Sequence, residues 1–189
     1  RGLDQSGELS EAGIGRVLEA LREFNDVIKA HDVQNVRAVA TSAARDAKNR
    51  DQFFDPASAV LGYQLELLTG EQEARYGFLG ATADLDPCDG PFLVLDIGGG
   101  STEFSFGRVS PESYQSVDMG SVRYSEQFLV SDPPKPEELS GAIQIARLHL
   151  DDVDRDHPSM KKPAALIGVA GTITTIAAVE IGLEPYDPK

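Results

Sequence analysis

Residues 92–107 read FLVLDIGGGSTEFSFG. A run with five apolar residues in six ends on Asp96 and Ile97, passes through three successive glycines, and resumes at Glu103 as Phe and Ser alternate. Apolar residues followed by period-two alternation read as two strands, so the glycines mark the turn of a hairpin. Two other phosphate loops are excluded by residue type. A Walker loop needs a Lys before its Ser/Thr, and Gly100 runs directly into Ser101. The dinucleotide fingerprint needs a glycine where Glu103 stands and a helix where a strand follows. What remains is a hairpin whose glycines leave backbone amides open to an oxyanion, with Ser101 and Thr102 as hydroxyl donors. Asp96 and Glu103 bracket it, two hard carboxylates suited to Mg²⁺ beside a phosphate. The plainer alternative, a glycine turn between two solvated acids, stays open on these residues alone.

Outward from the hairpin, SYQSVDMG completes a three-strand meander, SVRYSEQFLV and 137–153 read as helices, and AALIGVA (164–170) as a buried strand entering the helix TITTIAAVEIG. Gly168, Gly171 and Thr172 stand at that corner, with Thr172 a candidate helix cap and the helix start a candidate anion site. Upstream, Ser10 is expected to cap an amphipathic helix over 10–31, and NVRAVAT (35–41) to form a strand. Residues 42–62 read as helix broken near Pro56 and ended by Gly62. YQLELLT (63–69) reads as a strand and 71–85 as a helix. The polar stretch DLDPCDGP (84–91) is expected to link two lobes, 1–86 and 87–189. The order predicts an α/β protein holding about one and a half copies of a βββαβα unit, the first copy lacking its opening meander.

The chain has 189 residues, 41% hydrophobic and 25% charged, and a net charge of −14. That charge disfavours nucleic acid and anionic membranes as partners. An anionic substrate would need local attraction from amides, single arginines or a metal. A lone cysteine, Cys88, cannot form an internal disulfide, and no secretory leader opens the sequence. Both suit a cytoplasmic protein. His31, His149 and His157 fall outside every motif and read as surface residues.

DIGGGSTE, followed by DMGSVR and then GVAGT before a helix, resembles the exopolyphosphatase and guanosine pentaphosphate phosphohydrolase (Ppx/GppA) family. TSAARDA (41–47) and TGEQEARYGFLG (69–80) resemble that family's first-lobe segments. The resemblance implies two actin-like (ribonuclease H-like) lobes with mixed central sheets and an active site in the cleft between them. It implies hydrolysis of a terminal phosphoanhydride of polyphosphate or guanosine pentaphosphate, with Mg²⁺ or another divalent cation as cofactor. Glu73 matches the catalytic base, Asp96 and Glu103 match catalytic and metal-binding acids, and Gly98, Gly99, Gly100, Ser101 and Thr102 match the phosphate loop. Arg45 matches a phosphate-binding arginine, Gly171 and Thr172 match the third loop, and Arg123 ranks after Arg45. Taken alone, Glu73 reads as a carboxylate at a helix N-terminus and Arg45 as half of a surface ion pair. An actin-like kinase and a non-catalytic phosphate sensor remain the competing functions, and the sequence leaves a homodimer open. The family's opening phosphate hairpin is not found before Arg1, so these 189 residues are expected to be a central piece with little activity alone.

Overall fold

Ser10 starts the first long helix in the expected way. In the computed structural model, which describes residues 3–184, its hydroxyl accepts the Gly13 N–H at 3.1 Å. The contacts divide the chain into two compact units, Arg1–Thr69 and Gly70–Lys189.

The first unit runs α1 (Leu3–Ser6), α2 (Glu11–Ala30), β1 (Ala38–Ala40), α3 (Ser42–Asp46), α4 (Asp51–Leu61) and β2 (Leu65–Leu67). β1 and β2 pair in parallel, Ala38 opposite Leu65. α2 packs on α4, where the Asn25 side chain donates to the Val60 carbonyl at 2.8 Å. Gly62 ends α4 in the left-handed conformation its position requires, with φ 75°. Pro56, expected to break this stretch, lies inside α4 instead. The interruption falls at Ala47, whose ψ of 128° turns the chain extended. A proline removes one helical donor, and α4 continues through that single loss.

The second unit begins with α5 (Gly70–Ala81), a 3₁₀ turn (Pro87–Asp89), and the meander β3 (Phe92–Ile97), β4 (Thr102–Gly107) and β5 (Pro111–Val117). It continues with α6 (Ser121–Phe128), α7 (Pro136–Asp156), a 3₁₀ turn (Pro158–Lys161), β6 (Ala165–Val169) and α8 (Ala170–Glu180). From β3 onward this is the βββαβα order read from the sequence, with two helices in the first helical place. The sheet is mixed, in the order β5-β4-β3-β6, with β6 parallel to β3 and the other pairs antiparallel.

Strand alternation sorts the side chains between two covered faces. On one, Phe92 and Val94 pack with Phe78 of α5. On the other, Phe104, Phe106 and Val117 pack with Val153 of α7 and with Met160. β4 is central and covered on both sides, so all six of its residues are buried. α5 also receives a hydrogen bond from the sheet, the Ser105 hydroxyl donating to the Ala74 carbonyl at 3.1 Å. These contacts place α5 in the second unit, so the boundary lies at 69/70 and not at the expected 86/87.

Phe78 is fully buried between α5 and the sheet. Phe78→Ala should destabilise the second unit by about 3–5 kcal/mol, the range for emptying a buried phenyl site. Urea unfolding of the full chain checks this; a loss under about 1 kcal/mol would mean that α5 is not anchored there.

Candidate functional site

The register brings the two bracketing acids together. Asp96 on β3 lies directly opposite Glu103 on β4, and Glu103 lies opposite Ser116 on β5. Alternation puts the three on the same face as Phe92 and Val94, the face that α5 covers. Glu103 is 4% exposed. Its Oε1 accepts the Ser116 hydroxyl at 2.8 Å, and the Ser101 hydroxyl donates to the same carboxylate. Burial pushes the Glu103 carboxyl above its ordinary value, the two hydroxyls oppose that, and the charges of Glu73 and Asp96 reinforce it. Burial raises Asp96 as well.

Glu73 reaches this group from α5. It sits in that helix's first turn, partly buried. The helix start lies against β5: a Cβ added at Gly70 would stand 3.8 Å from the Ser116 Cβ. The position also favours a carboxylate through the helix dipole, so the site reading and the structural one coincide.

The glycine hairpin is shaped by α6 and not by left-handed backbone. Gly98, Gly99 and Gly100 all lie outside the positive-φ region, so a left-handed backbone is not what their lack of side chains provides. They provide room. The Gly98 N–H donates to the Ser101 carbonyl at 3.0 Å, leaving Gly99 and Gly100 at the tip. Against that tip lies Gly120, where a Cβ would stand 2.4 Å from the Gly99 oxygen. The N–H groups of Ser121, Val122 and Arg123 then donate to the Gly98 and Gly99 carbonyls. The hydroxyls expected to reach phosphate are engaged within the protein. Thr102 is 1% exposed and donates to the Met119 carbonyl, while Ser101 serves Glu103.

Beside the hairpin, parallel pairing sets Asp96 opposite Val169, so β3 and β6 end together. Val169 precedes α8 without a side-chain cap, and Thr172 lies inside the first turn, not at the cap position expected of it. Ala170 makes the corner at φ 70°, where a non-glycine residue costs about 1–2 kcal/mol. Gly168 is needed for clearance, since a Cβ there would meet the Ile173 side chain at 2.7 Å. Past these strand ends opens a groove of about 490 Å³, lined by Ile97, Gly98 and Gly99, by Ser121, and by Gly171, Thr172, Thr175 and Ile176. No charged side chain lines it. α6 and α8 both begin beside it, and helix N-termini favour an anion even in a chain of net charge −14.

Arg45 belongs to the first unit, where its guanidinium donates to the Leu68 carbonyl at 3.0 Å. Arg123 grips the hairpin, its Nε–H donating to the Gly100 carbonyl at 2.7 Å. Among the described residues, no group of three or more His, Cys, Asp or Glu side chains is arranged to hold a metal ion. Ser116 and Gly120 escaped the sequence reading. Alternation marks Ser116 as facing one side of β5 without saying which residue it meets.

The model of the Ppx/GppA phosphatase family matches residues 1–184. The chain belongs to that family. It is 38% identical to exopolyphosphatase 2 of Mycobacterium tuberculosis, across 99% of this chain and 60% of that protein. It is 32% identical to a guanosine-5'-triphosphate,3'-diphosphate pyrophosphatase of Pseudoalteromonas translucida, across 95% of this chain and 36% of that one. Among solved structures, an exopolyphosphatase-like protein superposes with a TM-score of 0.94 at 36% identity, covering all of this chain and 59% of its own. An Aquifex aeolicus Ppx/GppA enzyme does so with a TM-score of 0.77 at 36% identity, covering 99% and 60%. The chain thus spans at most about 60% of the length of these Ppx/GppA relatives.

Because Glu103 is raised above 4.5, the folded state holds its proton more tightly than the unfolded chain does. Its contribution to stability is therefore greatest below that value and falls as the carboxylate charges at higher pH. Glu103→Gln should make the chain more stable than the parent at pH 7, with the advantage closing as pH falls through the raised folded-state value toward 4.5. Urea unfolding across that range measures it, and a variant weaker than the parent at pH 7 would show that the hydroxyl bonds outweigh burial.

Proposed function

We propose that the protein hydrolyses the terminal phosphoanhydride of a polyphosphate or of a guanosine pentaphosphate. The observation that carries this reading is the pairing of Asp96 and Glu103 on one sheet face, next to the glycine hairpin, with Glu73 on the covering helix α5 near enough for its charge to act on Glu103. Relatives named for each substrate support the reaction class and leave the choice between the two substrates open.

In this reading the terminal phosphate meets the amides of the hairpin tip, and the groove at the starts of α6 and α8 takes the anionic chain. Glu73 accepts a proton from water as the water oxygen bonds to phosphorus. The bridging P–O bond breaks, and its electron pair leaves on the shortened substrate. Asp96 and Glu103 fit a Mg²⁺ ion, which commonly takes one or two protein carboxylates and completes its shell with water and phosphate oxygens. Once bound it would offset the phosphate charge and the mutual repulsion of the acids.

Glu73→Gln in the complete protein should lower phosphate release at least about 100-fold and leave substrate binding in place, the range lost with a general base. Scoring free phosphate against phosphorylated acceptor in the same assay separates hydrolysis from kinase chemistry. Unchanged turnover would remove Glu73 from the role of base.

A further inference from the structure

In a trans peptide the carbonyl and the N–H point in opposite directions, so holding one aims the other. The carbonyls of Gly98, Gly99 and Gly100 are all held by the start of α6. Ser121 N–H donates to Gly98 at 3.0 Å, Val122 and Arg123 N–H donate to Gly99 at 2.9 Å, and the Arg123 Nε–H donates to Gly100 at 2.7 Å. The following amides, those of Gly99, Gly100 and Ser101, therefore turn away from α6. Backbone donors that any sequence would supply fix the first two carbonyls. The third depends on one side chain.

That side chain is 14% exposed, and its Nη2 lies 3.6 Å from the Asp118 Oδ1. Two contacts in different directions, from Nε and from a terminal nitrogen, suit a rigid planar fork and not the single ammonium of lysine. The guanidinium is thus turned toward the frame behind the hairpin. We infer that Arg123 is a positioning residue for phosphate at the glycine hairpin, setting the Gly100–Ser101 peptide from behind through the carbonyl while Asp118 steadies the fork. This rests on the reading of the hairpin as a phosphate site.

The test is a titration of the ¹⁵N-labelled full chain with inorganic phosphate, following the Gly99, Gly100 and above all the Ser101 amides in the parent, Arg123→Lys and Arg123→Gln. In the parent these amides should shift with phosphate. Both variants should bind phosphate about tenfold more weakly, in line with the loss of one charge-assisted hydrogen bond, with well-dispersed spectra kept. Arg123→Lys, which keeps the charge and the aliphatic stem, is the deciding variant should Arg123→Gln fail to fold. A purely structural role would lower the melting midpoint and leave the affinity of the folded chain unchanged, and parent-like affinity in Arg123→Lys overturns the inference. Parent amides that ignore phosphate would instead overturn the hairpin reading itself, and this inference with it.

Discussion

Glu103 is a carboxylate on the central strand of a sheet covered on both faces, and the rest of the site follows from how that burial is tolerated. A buried carboxylate needs donors, and the sheet supplies them from either side: Ser116 across from β5 and Ser101 from the turn. Two hydroxyls do not cancel the cost, since its proton affinity stays raised, and Asp96 and Glu73 add to it. Three acids held together this way are a poor arrangement for stability alone. They are a good one for chemistry that takes up a proton or a cation.

In the proposed reading the hairpin meets the complementary need, a place for an anion in an acidic chain. It offers no lysine and depends on peptide orientation instead. Gly120 allows α6 to approach the tip, α6 takes up the glycine carbonyls, and the amides are left facing the other way. The strained corner at Ala170 belongs to the same design, placing the start of α8 at the end of β6 beside the groove. Acids and amides are neighbours because β3 leads from one to the other within a few residues.

Much of this was legible in the sequence. Alternation and glycine placement gave the meander, the βββαβα order and the Ser10 cap, because those are local signals. The motif order pointed to the Ppx/GppA family. Three things were not legible. The pairing of Glu103 with Ser116 depends on register between strands. The place of α5 depends on where Phe78 finds its apolar partners, which lie on strands after it in the chain. The role of the glycines depends on α6, an element beyond them, whose close approach at Gly120 takes up their carbonyls. Thr102 illustrates the same limit: a threonine after a glycine loop looks like a ligand until Met119 takes its hydrogen bond.

Everything proposed for the site depends on Glu103 being buried within reach of the charges of Glu73 and Asp96. Carboxyl ¹³C chemical shifts of the full chain, followed against pH, test it most directly. Glu103 and Asp96 should titrate above 4.5 and 3.8, and Glu73→Gln should move the Glu103 midpoint downward. Ordinary midpoints for both acids, with no response of Glu103 to Glu73→Gln, would contradict it.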